Sequence, residues 1–563
     1  MTGHGVACDE CVTRGRKVAR LSESMGHIFL YDCTLRDGAQ TQGVDFTVAD
    51  KIALACELDS LGVDYVEGGW PGANLTDDAF FHHSSLELAR ARLVAFGMTR
   101  RSGYSAVDDP GLAVLLCSGA RVVTLVGKTW DFQVHVALGI DLNENLRMIH
   151  DSVTYAGGLV DEVMFDAEHF FDGFRANPDY AVACLRTAYG AGARWVVLCD
   201  TNGGSLPFDI EAVVEQVVTH VPGSHLGIHC HNDTDNAVAN SLAAIRAGVC
   251  QVQGTLNGLG ERCGNANLTS IIPNLILKMG YQTSVSTTNL TRLVHVSRAL
   301  DKRLNQAPRR NAPYVGEAAF AHKGGLHASA VEKDPRCYEH IMPEQVGNDR
   351  QILVSNQAGR ASILARFRRI GLEFDPNDAR VGRLIEEVKS REYQGYTYDG
   401  ADASFELLAR RSLEGVREFF QLQSFRVIDE RRLTSVGSIE TITEATIKAA
   451  IGSVIVMTVA EGNGPVHALD SALRKALAPL YPQIDDLKLV DYKVRILTPE
   501  ATTAAVTRVI IESGDSYGHR WGTVGVSTNV IEASYHALND SLTYKLLCNP
   551  SKSHPRAAPL TES

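Results

Sequence analysis

The feature that most constrains the fold of this 563-residue chain is an alternation, from His27 to about Gly280, of short apolar runs with amphipathic segments. Most runs are rich in β-branched or aromatic residues, and all have the length of strands. They are residues 28–33, 63–70, 92–99, 122–128, 162–168, 195–200, 226–231 and 250–256. Eight strand–helix units over about 250 residues match a (β/α)8 TIM barrel. A doubly wound open sheet is the alternative, but no Gly-x-Gly-x-x-Gly motif follows the first run.

The segments between the runs carry helix signals. Apolar residues recur at helical spacing in 48–61, 142–155, 180–189 and 236–247. Thr47 is positioned to cap the first of these helices, with Asp50 in the place of a weak capping box, and Gly62 marks its end. Together with the strand-like runs, these signals predict an α/β barrel domain over residues 27–283.

The remaining half of the chain has a different pattern. Residues 284–418 predict a helical connector, with helices at 289–304, 359–370, 381–389 and 403–413 and a loop that contains His322 and His327. Residues 419–548 predict two βββα units, an α+β domain suited to regulation and dimerisation. Residues 1–26 and 549–563 are expected to be a disordered leader and tail.

Composition narrows the class of protein. The formal net charge of −12 argues against a nucleic-acid partner, which needs a clustered basic field. Apolar runs such as 454–459 fall far short of a membrane span, and no signal peptide is recognised at the start. The twelve cysteines are scattered, which favours reduced thiols in the cytoplasm. Cys8 and Cys11 have the spacing of a zinc or redox site, but no second pair of ligands follows to complete four. We therefore expect a flexible extension and not a metal site.

In a barrel, the chemistry lies where the strands end at their C-terminal side. Arg36 and Asp37 follow shortly after the first run, and the seventh run ends with His229 and His231, which alternate onto one face. A Gly-rich turn that follows the eighth run contains Asn265. Carboxylate, imidazole and amide oxygen together suit one divalent cation with open positions, although paired core histidines would give the same His-x-His triplet.

Further polar side chains are predicted at the same end of the barrel. They are Glu67, Lys128, Asp166, Glu168 and Thr201. An open metal site beside an arginine suits an α-keto acid, whose oxygens chelate the cation while the guanidinium stabilises developing negative charge. The spacing therefore predicts metal-assisted carbonyl chemistry.

Several segments resemble the signatures of a known family. They are 34–40 (TLRDGAQ), 67–72 (EGGWPG), 229–233 (HCHND), 258–266 (GLGERCGNA) and 320–327 (FAHKGGLH). The family is that of the metal-dependent Claisen-condensing enzymes, which includes the 2-isopropylmalate, homocitrate and citramalate synthases and the related 3-hydroxy-3-methylglutaryl-CoA lyases. The resemblance extends from residue 28 to residue 546 and is strongest to the citramalate branch. It implies condensation of acetyl-CoA with pyruvate, thioester hydrolysis to citramalate and CoA, and a place in isoleucine biosynthesis.

The resemblance also implies roles for individual residues. Metal ligands would be Asp37, His229, His231 and Asn265, for Mg²⁺, Mn²⁺ or Zn²⁺. Substrate would be bound by Arg36, Gln40 and Thr201, with Arg36 also polarising the ketone. Glu168 matches an active-site glutamate, and His327 and Tyr338 match connector residues that assist deprotonation of the acetyl methyl or thioester hydrolysis. The connector of one subunit would cover the barrel of the other in a homodimer.

Two alternatives remain open. A 2-isopropylmalate synthase, acting on 2-oxoisovalerate for leucine biosynthesis, would differ in the alkyl pocket. Trp70 either crowds this pocket or is an ordinary core side chain. A catalytically silent amino-acid sensor is an alternative of another class. Feedback by isoleucine, or by leucine in the isopropylmalate case, is the regulation that the resemblance implies.

Overall fold

Eight parallel strands close into a barrel in the computed structural model of the chain. They are β1 Phe29–Asp32, β2 Tyr65–Gly69, β3 Arg92–Met98, β4 Val122–Lys128, β5 Glu162–Glu168, β6 Trp195–Asp200, β7 Leu226–Cys230 and β8 Gln251–Gly254. β8 pairs with β1 in parallel, with Leu30 opposite Val252, so the sheet has no open edge. The predicted TIM barrel is confirmed, and the open sheet is excluded.

The structure describes residues 26–83, 87–322, 324–352, 367, 378–413, 415–433 and 439–548. The predicted leader apart from residue 26, the Cys8 and Cys11 pair, the predicted tail and all but Phe367 of the predicted helix 359–370 lie outside these residues. Among the described residues, no helix has both the length and the apolarity needed to cross a bilayer.

Helices surround the barrel. They are Val48–Leu61, Leu75–Phe81, Pro110–Leu116, Asp131–Gln133, Leu142–Gly157, Phe170–Ala176, Pro178–Gly190, Pro207–Val217, Ala237–Arg246, Leu268–Pro273, Thr287–Leu290 and Leu293–Arg303. The first helix has the predicted bounds. Thr47 and Asp50 form a reciprocal capping box at its start, and Gly62 ends it with a φ of 103°, a conformation that glycine adopts without strain.

The lower barrel interior is filled by side chains, and the predicted site residues lie toward its C-terminal end. Alternate residues of each strand point inward. A buried apolar cluster forms from Tyr31, Cys33, Tyr65, Val94, Val122, Met164, Trp195, Val197 and Cys199. The polar residues that follow these on the same strands therefore face one another across the upper barrel.

The chain divides into two compact units, one of residues up to Phe320 with 341–350, the other of 321–340 with the residues from 351 onward. The second unit begins with the helices Gly325–Lys333, Ala379–Tyr393 and Asp402–Leu413. The prediction of a loop around His327 is wrong: His327 lies on the first of these helices. The glycines before it suggested a loop, but the following Leu-His-Ala-Ser-Ala-Val-Glu-Lys stretch is rich in helix-favouring residues. Ala321–His322 and Gln351–Ile352 also pair as short parallel strands, which the sequence did not predict.

Two antiparallel three-stranded sheets, each followed by a helix, confirm the predicted βββα repeat. The first has strands Gln421–Leu433, Ile439–Ile451 and Val454–Gly462 and helix Pro465–Leu477, and the second has strands Lys488–Ile496, Thr507–Gly514 and Arg520–Ser527 and helix Val530–Cys548. Apolar residues of the last helix are turned inward, with Leu542 and Leu546 fully buried. Large apolar side chains, Met457 and Ile496 among them, stay exposed on strands of both sheets.

Candidate functional site

Three of the predicted metal ligands converge at the C-terminal end of the barrel. His229 Nε2 lies 3.3 Å from His231 Nε2 and 3.2 Å from Asp37 Oδ2. His231 Nε2 lies 3.9 Å from the same carboxylate oxygen. His229 is held by β7, His231 follows it by two residues, and Asp37 follows β1. The local alternation along β7 is what turns both imidazoles to the same side.

Asn265 completes the cluster from the turn after β8. Its Nδ2 donates to Asp37 Oδ2 over 2.9 Å, while its buried Oδ1 has no hydrogen-bond partner among the described residues. A Cβ at Gly260 would lie 2.1 Å from that Oδ1, so only glycine permits this packing. Turning the amide by half a turn would present the oxygen to the histidines, as the sequence predicts for a ligand.

The donor atoms of this cluster fit a divalent cation. His229 Nδ1 bonds to Gln253 Oε1 over 2.8 Å, and because an amide oxygen only accepts, Nδ1 carries the proton. When the ring is neutral, it therefore turns a lone pair on Nε2 toward a carboxylate oxygen and a second imidazole nitrogen. Three mutually close acceptor atoms without a proton between them are the arrangement that a metal ion stabilises.

Electrostatics favour the ligand form of Asp37 and of His231, and the charged form of His229. Burial would raise the pKa of Asp37, but Arg36 and both histidines hold that pKa well below its usual range. Burial, followed by His229, lowers the pKa of His231 to about 4, so this imidazole is neutral at physiological pH. Burial also works against a charged His229, yet the Asp37 carboxylate outweighs it and leaves the pKa of His229 above its ordinary value.

Arg36 is fixed beside the cluster by a buried carboxylate. Its Nε donates to Glu67 Oε2 over 2.8 Å, and the Tyr31 hydroxyl donates to the other oxygen of Glu67 over 2.7 Å. The guanidinium stacks on the ring of Phe96, with 3.9 Å from Cζ to the ring centroid. Because Nε and the stacked face are engaged, the terminal nitrogens are the part of Arg36 available to a ligand.

Glu168 and Thr201 lie at the ends of β5 and β6. Lys128 Nζ donates to Glu168 Oε2 over 2.5 Å, which pairs the predicted glutamate with a cation from β4. The Thr201 hydroxyl oxygen accepts from the backbone N–H of His169 over 2.8 Å. Its own proton is therefore directed elsewhere and can be donated to a ligand.

Most of the predicted barrel residues, but not Glu67 or Asn265, line a cavity of about 260 Å³. Its walls include Arg36, Asp37, Gln40, Trp70, Phe96, Glu168, Thr201, His229 and His231. A second cavity of about 530 Å³ shares the wall formed by Trp70, Met98, Val126, Lys128 and Glu168. The small cavity suits a compact anion, and the second gives room for a longer substrate beside it.

The two predicted connector residues belong to the other compact unit. The rings of His327 and Tyr338 are in contact, with centroids 4.2 Å apart and planes tilted by 32°. Both side chains are exposed. The arrangement brings the pair together and leaves both rings accessible to a binding partner.

Three residues at the barrel site were not predicted to belong to it. Gln253 contacts His229, and no local motif marks it. Arg262 forms an ion pair with Asp233 over 2.8 Å and lines the small cavity. Its position in the Gly-rich turn after β8 was a signal that could have identified it. Cys33 Sγ lies within 4.8 Å of ligand atoms of Asp37 and His229. Burial raises the pKa of the Cys33 thiol, so it stays protonated and is a poor ligand.

Comparison with known proteins agrees with this geometry. Residues 27–299 match the HMGL-like family model, 314–395 match the homocitrate synthase post-HMGL domain-like model, and 399–546 match the LeuA allosteric (dimerisation) domain model. The chain is 50% identical over 523 residues to an (R)-citramalate synthase of Geobacter sulfurreducens, covering 93% of this chain and 98% of that protein. An (R)-citramalate synthase of Aquifex aeolicus is 48% identical over 92% of this chain and 98% of its own length. A 2-isopropylmalate synthase of Xanthomonas oryzae is more distant, at 31% identity over 91% of this chain and 94% of its own length. On this similarity, together with the barrel and its site, the chain belongs to the (R)-citramalate synthase family.

Proposed function

We propose that this chain condenses acetyl-CoA with pyruvate and hydrolyses the product thioester, releasing citramalate and CoA. The observation that carries the proposal is the convergence of Asp37, His229 and His231 beside Arg36 on a cavity of about 260 Å³. A small cavity with cation ligands, a guanidinium and the crowding ring of Trp70 favours the shortest α-keto acid. Relatives up to 50% identical carry the name of this activity.

Asp37, His229, His231 and Asn265 would hold a divalent cation, Mg²⁺, Mn²⁺ or Zn²⁺. When bound, the cation supplies Lewis-acid polarisation of the keto group. The chain's own contribution is to keep Asp37 ionised and His231 neutral, which their lowered pKa values support, and to hold His229 beside them through its bond to Gln253.

Arg36 and Thr201 bind and orient the keto acid. The terminal N–H groups of Arg36 donate to the keto oxygen, and these bonds strengthen as negative charge develops there. Glu67 prevents the guanidinium from moving toward Asp37, whose oxygen is 3.7 Å away. The Thr201 hydroxyl donates to the substrate carboxylate, and Gln40 closes the same cavity.

Carbon–carbon bond formation needs a base for the acetyl methyl group. His327, in ring contact with Tyr338 and supplied by the connector of a second subunit, accepts the methyl proton. The methyl carbon then bonds to the keto carbon as the carbonyl π bond breaks, and the oxyanion so formed takes up a proton. A water molecule cleaves the thioester, its oxygen bonds to the acyl carbon, and CoA leaves as the thiol with one proton of that water. Glu168, which is held by Lys128, orients that water. The cavity of about 530 Å³ beside Glu168 gives room to the pantetheine arm.

Dimerisation and feedback control belong to the C-terminal domain. Ile455, Met457, Val494 and Ile496 are 58%, 69%, 48% and 57% exposed on strands of the two sheets. Exposed apolar surface of this kind marks an interaction site, and a second copy of the domain is the occupant that the matching dimerisation-domain model supports. Isoleucine is the effector that fits an enzyme making citramalate.

The test is CoA release by the purified, Mn²⁺-supplemented protein with pyruvate or 2-oxoisovalerate. We expect a clear preference for pyruvate, inhibition by isoleucine and loss of activity in His231→Ala. His225→Ala is the matched control, because His225 bonds the backbone oxygen of Arg194 at the other end of β7. Preference for 2-oxoisovalerate would assign leucine biosynthesis instead, and no CoA release with either acid would overturn the proposal.

A further inference from the structure

A buried network of side-chain hydrogen bonds extends from one candidate metal ligand across the barrel interior. Gln253 Oε1 accepts from His229 Nδ1 over 2.8 Å, and Gln253 Nε2 donates to Asp166 Oδ1 over 3.2 Å. The exposed fractions of Asp166, Gln253 and His229 are 4%, 0% and 5%. This hydrogen-bond network thus links β7, β8 and β5 away from solvent.

The barrel register explains how these side chains meet. His229 pairs with Gln253 in the β7–β8 ladder, so their side chains point inward at the same level. Gln251, two residues earlier on β8, also points inward, but its amide nitrogen contacts Met164 Sδ at 3.6 Å. The two glutamines share strand, face and chemistry, and only Gln253 reaches a histidine.

The direction of the Gln253 amide fixes which nitrogen of His229 carries the proton. The Asp166 oxygen attracts the amide N–H, so the amide oxygen is turned toward His229. That oxygen can only accept, so Nδ1 of His229 must donate. The proton then stays off Nε2, the atom that faces Asp37 and His231.

We propose that Gln253 and Asp166 are positioning residues that hold His229 in its metal-binding tautomer and ring orientation. The proposal rests on the metal-ligand role of His229 in the proposed function. Metal-ligating histidines commonly donate their second N–H to such a partner, whose loss weakens metal binding by about 10- to 100-fold. His231 has no equivalent support among the described residues, since its buried Nδ1 lacks a hydrogen-bond partner there.

The test measures Mn²⁺ affinity of the metal-stripped full-length protein by electron paramagnetic resonance of free Mn²⁺, without substrate. Gln253→Leu is expected to bind Mn²⁺ about 10- to 100-fold more weakly than wild type. Gln251→Leu, the matched control, should keep the wild-type affinity. Circular dichroism and thermal melting verify that both variants are folded.

A double exchange separates hydrogen bonding from packing. Asp166→Asn combined with Gln253→Glu swaps amide and carboxylate with no change in length or net charge. The exchanged carboxylate still accepts from His229 Nδ1, and the exchanged amide still donates to it, so we expect the Mn²⁺ affinity to return to within about threefold of wild type. A folded Gln253→Leu variant with wild-type affinity, or an equal loss in Gln251→Leu, would overturn the proposal. Wild-type protein that binds no Mn²⁺ would instead refute the metal site of the proposed function.

Discussion

Replacement of Arg36 by lysine tests how the site divides one guanidinium between two tasks. In the structure, Nε holds Glu67 at 2.8 Å, and the plane of the group lies 3.9 Å over Phe96, which leaves the terminal nitrogens for the keto oxygen. Lysine has one nitrogen on a shorter side chain. It can keep the ion pair with Glu67 or reach the substrate, but it cannot do both.

The expected loss follows from that division. Removal of one donor to a developing oxyanion costs about 10²- to 10³-fold in kcat. Arg36→Lys should lose about this much kcat for CoA release at saturating pyruvate while it keeps a near-wild-type Tm, because Glu67 stays paired. Arg36→Ala leaves the buried Glu67 carboxylate unpaired, and we expect it to lose about 3–5 kcal/mol of folding stability as well.

The control is Arg194→Lys. Arg194 also stacks at 3.9 Å, over Trp195, but it precedes β6 and so lies at the opposite end of the barrel from Arg36. Its replacement should leave kcat unchanged. If Arg36→Lys kept kcat within about threefold of wild type, the oxyanion role of the Arg36 terminal nitrogens would be refuted.

Three further predictions concern other parts of the molecule. Lys128→Met removes the cation that holds Glu168, and we expect about a 10²-fold lower kcat with unchanged Tm; unchanged kcat would show that the pair is only structural. Burial raises the pKa of Asp32 to about 7. Ionisation of Asp32 is therefore less favourable in the folded protein than in the unfolded chain. As a result, the free energy of unfolding falls by on the order of 1–4 kcal/mol as the pH rises from about 4 through 7. The stability of Asp32→Asn relative to wild type, measured by urea unfolding, should be greater at pH 8 than at pH 4, and a pH-independent difference would contradict this. Met457→Asp places a charge on an exposed sheet strand and should yield monomers in light scattering, whereas a dimer of wild-type stability would place the interface elsewhere.

The barrel and the repeated βββα units could be predicted from the sequence because both are encoded locally. Hydrophobic periodicity marks strands and helices, and the Thr47 and Asp50 capping box fixes one helix start to the residue. The His-x-His spacing places His229 and His231 on one side through the alternation of a single strand. Parallel strands all end at one face of a barrel, so the position of Asp37 near them also followed from the order of elements.

Local patterns were less informative in the connector. The glycines that precede His327 suggested a loop, and the helix Gly325–Lys333 took its place. The ring contact between His327 and Tyr338 joins residues eleven positions apart, and hydrophobic periodicity does not predict such a contact. Roles assigned there by resemblance stay predictions.

What only the tertiary structure decided is which side chains meet across the barrel. Gln253 lies 24 residues from His229 and 87 residues from Asp166 in the chain, yet it bonds to both. Arg36 and Glu67 likewise meet from consecutive strands, 31 residues apart. Local periodicity determines which face of its strand a residue occupies, but the stagger between strands on barrel closure determines its partner at the same level, and no single segment encodes that stagger.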